Sequence, residues 1–263
     1  VSRIGEAFAR LRREGRKGLV VYLTAGDPDG PSSLAYLRAA AEAGADLLEV
    51  GVPFSDPMAD GPTIQAASRR ALAGGMTVEG TLELVERLQE RTEVPVVLFG
   101  YYNPFLRRGL ERLCREAKRA GVDGLLVVDL PLEEFGEAVP AARRHGLDWI
   151  PLAAPTSGPD RIRRASEAGS GFLYLISVTG ITGARRALPA DLSRCARQAR
   201  AVSRLPVAVG FGISSPEMAR AAARHADAAV VGSACVELVA RGGRSPSGPR
   251  TLARFVRSLK SAL

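Results

Sequence analysis

Short, almost unbroken apolar runs alternate with longer amphipathic stretches along the whole chain. The runs occupy residues 18–28, 45–53, 94–102, 123–131, 148–155, 171–180, 205–212 and 227–234. A strand with one wet face alternates apolar and polar residues. Runs that are apolar at nearly every position suit strands buried on both faces of a parallel sheet. The stretches between them carry helix start signals. Pro31-Ser32-Ser33, Ser157-Gly158-Pro159-Asp160 and Ser214-Ser215-Pro216-Glu217 each place a capping hydroxyl beside a proline of the first turn. Ala43-Gly44-Ala45-Asp46 and Ala120-Gly121-Val122-Asp123 repeat one phrase, a glycine that closes a helix and leads into the next strand. Eight strand-then-helix units predict a (β/α)8 TIM barrel, an α/β fold, preceded by an extra N-terminal helix over residues 2–13. The alternative, an open doubly wound sheet, calls for a GxGxxG turn after the first strand, and the sequence has none there. No linker divides the chain. Residues 242–248 read as the connection between the last two helices, so residues 1–263 are expected to form a single domain.

Composition narrows the function classes. Hydrophobic residues make up 46% of the 263 and charged residues 24%, too apolar for disorder and ample for a large core. Cys114, Cys195 and Cys235 are odd in number and far apart, which excludes a disulfide scaffold. No run approaches the roughly 20 apolar residues that a spanning helix needs. Val1 to Glu6 lack the apolar stretch of a signal peptide, so a cytoplasmic protein free of the membrane is expected. The net charge of +8 is almost all arginine, with Lys17, Lys118 and Lys260 the only lysines among 36 basic residues. Without zinc-ligand spacing or an RNA-binding aromatic pattern, that excess reads as surface composition and not as nucleic-acid binding.

In this fold the active site is built at the C-terminal ends of the strands. His145 and His225 fall at helix C-termini, on the opposite face, which argues against a histidine-bound metal. No lysine stands at a strand end, which argues against Schiff-base chemistry. Cys235 reads as packing. Carboxylates remain. Glu49 lies in Leu47-Leu48-Glu49-Val50-Gly51-Val52, the most apolar surroundings of any glutamate in the chain. A charge buried there needs a partner, a proton or a function. The readings are a shielded salt bridge or an acid/base group with a raised pKa, and the second leads. Asp60 follows eleven residues later in a loop stiffened by Pro53, Pro57 and Pro62, and is expected to act over the pocket. For Asp56 of the same loop, turn chemistry and function stay equally open. Gly210-Phe211-Gly212 and Gly232-Ser233 end the last two strands, the usual place of a barrel's phosphate site. A glycine-hinged loop near residues 179–188 reads as a lid. The residues thus indicate carboxylate acid/base catalysis on a small phosphorylated substrate.

The same residues carry a resemblance. LEVGVPFSDPMADGPTIQ, from Leu48 to Gln65, is similar to the signature segment of the tryptophan synthase alpha family. TAGDP from Thr24, YYNP from Tyr101, DLPLE from Asp129, TGITG from Thr179 and GFGIS from Gly210 match the family in order, so the similarity spans essentially the whole chain. The resemblance implies a lyase of tryptophan biosynthesis that splits indole-3-glycerol phosphate into indole and glyceraldehyde 3-phosphate. It implies that Glu49 shuttles the proton between the side-chain hydroxyl and indole carbon three, while Asp60 stays ionised and holds the indole N–H. It carries the phosphate pocket over to Gly183, Gly210, Phe211, Gly212, Gly232 and Ser233. The indole pocket carries over to Tyr22, Leu126, Val128, Leu152 and Tyr174, with Tyr101 as a further lining residue and Thr182 on the lid. Tyr22 stands where phenylalanine is also seen. The resemblance also implies a beta subunit in an α2β2 heterotetramer, facing Asp56, Asn103 and Pro131. Pyridoxal phosphate is expected in that partner, with no cofactor and no metal in this chain. Two other readings stay open: a stand-alone lyase that releases free indole, and a non-catalytic activator of a beta subunit. The second gives Glu49 no reason to be buried.

Overall fold

A computed structural model describes residues 2–176, 192–210 and 212–263. Its strands are β1 (Gly18–Thr24), β2 (Leu47–Gly51), β3 (Val96–Gly100), β4 (Gly124–Val127), β5 (Asp148–Trp149), β6 (Leu152–Ala153), β7 (Leu173–Ile176), β8 (Val207–Gly210) and β9 (Ala228–Val231). Around them lie α1 (Arg3–Arg13), α2 (Gly30–Glu42), α3 (Pro62–Ala73), α4 (Val78–Gln89), α5 (Tyr102–Arg108), α6 (Leu110–Arg119), α7 (Phe135–Arg144), α8 (Pro159–Ala168), α9 (Leu192–Val202), α10 (Pro216–Ala223), α11 (Ser233–Gly242) and α12 (Gly248–Lys260). Every strand pairing is parallel, in the order β5-β4-β3-β2-β1-β9-β8-β7-β6.

The two ends of that order belong to one predicted strand. The run at 148–155 is interrupted at Ile150-Pro151; its first half pairs with β4 and its second with β7. Ile150 N–H donates to the Leu125 carbonyl at 2.8 Å, and the Pro151 carbonyl accepts from Tyr174 N–H at 2.9 Å. Proline has no N–H to give to a ladder, so the strand divides there and hands its pairing from one neighbour to the other. The ring therefore closes through eight runs, as a (β/α)8 barrel.

Alternation along each strand separates two cores. Outward residues such as Leu19, Val21, Leu48, Val50, Leu98 and Val209 pack under the helices. Inward residues Val20, Leu47, Val97, Leu126, Phe172, Ala208 and Val230 fill the barrel with Ile4, Ala7 and Phe8 of α1, which closes its floor. Burial of a side chain of this size is worth about 1.5–3 kcal/mol, so the filled interior is a rigid base for whatever sits above it.

The helix starts differ in detail from the sequence reading. α1 is capped by Ser2, and α10 by Ser215, which accepts from Met218 N–H at 3.3 Å. α2 is capped by Asp29, whose carboxylate accepts from Ser32 N–H at 2.8 Å, and not by a serine. α8 has no side-chain cap, because Ser157 Oγ instead accepts from Ala154 N–H within the preceding turn. Gly44 and Gly121 end their helices at φ +104° and +88°, a region that favours glycine.

The aspartates two residues beyond those glycines, and Asp227 just before β9, have a part the sequence did not disclose. Asp46 accepts from Leu19 N–H at 2.7 Å, Asp123 from Val96 N–H at 2.9 Å, and Asp227 from Val207 N–H at 2.8 Å. Each carboxylate at the foot of one strand thus satisfies an amide at the start of a neighbouring strand. Lys260, Arg3 and Arg200 pair with the three in turn. These carboxylates secure the N-terminal rim, away from the strand ends where chemistry is built.

Candidate active site

Glu49 occupies the middle of β2, two residues above Leu47, so alternation turns it into the barrel. It stands in register with Tyr22 of β1 and Val97 of β3. The residue is 0% exposed, and neither carboxylate oxygen has a hydrogen-bond partner among the described residues. The salt-bridge reading therefore finds no support. Burial alone raises the carboxyl to about 8, so near neutrality it is largely protonated and within easy reach of its anion.

Asp60 closes the loop between β2 and α3, immediately before the cap residue Gly61. Prolines bracket the loop, and Pro62 supplies the first turn of α3. The sequence reading keeps Asp60 ionised in a polar loop, and the structure adds that the loop is partly buried. The loop folds its carboxyl half-buried against the pocket, where burial raises it to about 6, opposed by a hydrogen bond from the Tyr101 hydroxyl. It remains mostly ionised at neutral pH. Gln65 Nε2 donates to the Asp60 carbonyl at 2.8 Å, a contact the sequence gave no sign of.

Around the two carboxylates the structure gathers Tyr22, Tyr101, Leu126, Val128, Leu152 and Tyr174, all on strand ends or just past them. Tyr22 packs edge-on against Phe99 with ring centroids 5.0 Å apart, and its hydroxyl lies 3.3 Å from Thr24 Oγ1. The phenols of Tyr22 and Tyr174 are pushed well up by burial and by Asp60 and Glu49, which keeps them protonated. Two glycines make room for them. A Cβ on Gly51 would overlap the Tyr22 hydroxyl, and one on Gly210 would overlap that of Tyr174. Sequence reasoning assigned Gly210 to phosphate and passed over Gly51; its signal, a glycine one layer above an inward Glu49, is visible only once the register is known. A cleft of about 380 Å3 opens beside Val128 and Leu152 toward Pro131 and Ile176.

Gly212 (φ +63°) follows β8, while Gly232 caps α11 and Ser233 begins it. The first amides of a helix point at this edge of the barrel mouth without partners in their own helix, the general condition for binding an anion. Thr182, Gly183, Phe211 and the predicted lid lie outside the described residues. Asp56, Asn103 and Pro131 are exposed on the same face of the barrel, Asp56 accepting from its neighbour Ser55. The largest exposed apolar side chains among the described residues, Met58, Leu106 and Ile176, share that face. The other candidates are elsewhere. Cys235 is buried and its thiol pushed up to about 12, His145 pairs with Glu111 on the outer surface, and the three lysines bond groups at the opposite rim. No helix among the described residues is long and apolar enough to cross a membrane.

Comparison with known proteins agrees with this geometry over the full length. The family model described as "Tryptophan synthase alpha chain" matches residues 8–262. The tryptophan synthase alpha chain of Geobacter sulfurreducens is 51% identical over 263 residues, covering 100% of this chain and 99% of the relative. The crystal structure of tryptophan synthase subunit alpha from Legionella pneumophila superimposes with a TM-score of 0.92 at 34% identity, covering 100% of this chain and 98% of that one. A chain of Mycobacterium tuberculosis tryptophan synthase gives 0.92 at 38% identity, with 100% and 98% covered. A strand-borne Glu49, a loop-borne Asp60 and an eight-fold barrel are thus found in a chain that belongs to the tryptophan synthase alpha chain family.

Proposed function

We propose that Glu49 and Asp60 together cleave indole-3-glycerol phosphate to indole and glyceraldehyde 3-phosphate, the lyase step of tryptophan synthesis, in the cytoplasm. The observation that carries the reading is the fully buried Glu49, without a hydrogen-bond partner among the described residues and with its pKa near 8, which shares the neighbours Tyr22 and Tyr174 with Asp60.

In the sequence that fits these groups, protonated Glu49 delivers its proton to indole carbon three. The ring becomes an indolenine whose positive charge centres on N1–H, and the Asp60 carboxylate accepts a hydrogen bond from that N–H. The Glu49 anion then removes the proton from the hydroxyl next to the ring. The carbon–carbon bond breaks, its electron pair restores the neutral indole, and the former alcohol carbon becomes the aldehyde. Glu49 ends as it began, protonated, so one carboxyl serves as acid and then as base. The apolar walls supplied by Leu126, Val128 and Leu152 suit the ring, and the amides at Gly212, Gly232 and Ser233, with Gly183 and Phe211, suit the phosphate. Tyr22 and Tyr174 limit the ring pocket.

The name alpha chain implies a beta partner, and in this family pyridoxal phosphate is carried by the beta subunit. The exposed Met58, Leu106 and Ile176, beside Asp56, Asn103 and Pro131, make the barrel mouth the face that receives it, in an α2β2 assembly. The test is steady-state indole release from indole-3-glycerol phosphate by this chain alone and with added beta subunit. Release that rises on addition supports the complex. High release that does not rise points to a stand-alone lyase, and no release in either case overturns the reading.

A pH profile follows from the two carboxyls. Asp60 acts as the anion, so activity falls as pH drops through about 6; Glu49 starts as the acid, so activity falls as pH rises through about 8. A bell in kcat/KM with limbs near those values is expected, measured on the chain alone. A flat profile between about pH 5 and 9 contradicts the assignment.

A further inference from the structure

As a wall of the ring pocket, Tyr101 needs only its ring; its hydroxyl does something else. β3 ends at Gly100 and α5 begins at Tyr102, which puts Tyr101 at the bend, 3% exposed, aimed at the loop that carries Asp60. Its Oη accepts from Ala59 N–H at 3.0 Å, which brings the hydroxyl beside the next residue, Asp60, whose carboxyl it holds down against burial. Its ring rests on Phe54 of the same loop, centroids 5.2 Å apart. One phenol therefore holds an amide and a ring of a single loop, next to its carboxyl. Tyr101 is fixed from its other side, because the next amide, Tyr102 N–H, donates to Asp129 of the loop after β4 at 2.7 Å.

The loop needs such a tie. Ser55, Asp56, Met58 and Ala59 are exposed, and the bonds within it, Met58 N–H to Asp56 carbonyl and Asp60 N–H to Pro57 carbonyl, shape turns without anchoring them to the barrel. Its far end is anchored through α3, where Arg70 grips the buried Asp27 of the loop after β1 at 2.8 and 2.9 Å. Tyr101 supplies the anchor at the carboxylate itself. A displacement of about 1 Å in a group that must meet developing charge can reduce a rate on the order of 100-fold.

We propose that Tyr101 is a positioning residue whose hydroxyl, and not its ring alone, holds the Asp60 carboxylate where the substrate's ring nitrogen arrives. This rests on the lyase reading above. The hydroxyl also favours the Asp60 anion against burial, and among the described residues the other groups that act with Asp60, Tyr22 from β1 and Tyr174 from β7, bring no positive charge that could replace it.

The experiment is Tyr101→Phe, which keeps the ring on Phe54, with two readouts. In kinetics, kcat is expected to fall about 10- to 100-fold with KM changed less than about three-fold, and the acid limb to move up by about one pH unit. In a carboxyl-carbon NMR titration of the folded protein, the Asp60 midpoint is expected to rise by the same amount relative to the parent chain. Unchanged kcat and midpoint overturn the proposal, as does a rise in KM alone with an unmoved midpoint, which assigns Tyr101 to the wall. A parent chain without lyase activity whose midpoint nonetheless responds to Tyr101→Phe sinks the lyase reading and leaves the tie between Tyr101 and Asp60 standing.

Discussion

Glu49→Gln is expected to abolish indole release, lowering kcat by at least about 1,000-fold, while the protein stays folded and still binds a glycerol-phosphate analogue within a few-fold of the parent. The amide has the shape of the acid but can neither deliver nor take a proton at this pH. Both proton transfers are lost together, and each positioned acid or base contributes on the order of 10² to 10⁴ in rate. The fold gains from the change. Glu49 rises from 4.5 to about 8 on folding, so its burial destabilises the protein progressively as pH rises between those values, by roughly 3 kcal/mol at pH 7. A neutral glutamine escapes this, and the denaturation midpoint of the variant at pH 8 is expected to match or exceed that of the parent chain. An active Glu49→Gln protein rules out the acid/base role. An inactive and unstable one places Glu49 among the structural groups.

Asp60→Asn is the second large effect, expected to lower kcat about 100- to 1,000-fold with little change in KM. Asparagine still offers an oxygen to the ring N–H and to the Tyr101 hydroxyl, so the loss isolates the negative charge that opposes the indolenine cation. Preorganised electrostatic contacts of this kind are worth about 3–4 kcal/mol in a transition state. The charge removed is also the one that titrates near 6, so the acid limb of the profile is expected to vanish from the residual activity. A variant with a normal rate moves cation stabilisation to another group. A variant that keeps the acid limb assigns that limb elsewhere.

The two effects differ in how far they could be read before folding. Glu49 announces itself because a carboxylate within Leu47 to Val52 has no ordinary place, and strand alternation already turns it inward. Asp60 is legible through its proline-braced loop and the family signature, but its raised pKa is not, since burial depends on how that loop packs against Tyr101. The same holds for Tyr101 itself. As a residue at a strand end it reads as lining, and its hydrogen bond with Ala59 crosses 42 positions of sequence. Ser157 shows the limit of local rules. Its setting is that of a helix cap, yet the preceding turn takes its hydroxyl instead.

What the sequence determined by itself was the architecture and the choice of Glu49 and Asp60 as the candidate carboxyls. Both follow from local facts: the periodicity of apolar positions, the residues that start and stop helices, and the expense of placing a charge among leucines and valines. The tertiary structure alone decided the division of the fifth run at Pro151, the aspartates that seat the feet of the strands, the space that Gly51 and Gly210 leave for two phenols, and the tie from Tyr101 to Asp60. Each of these is a contact between segments that the chain separates and the closed barrel brings together. Their distances and desolvation exist only after the ring has formed, and no spacing within the sequence encodes them.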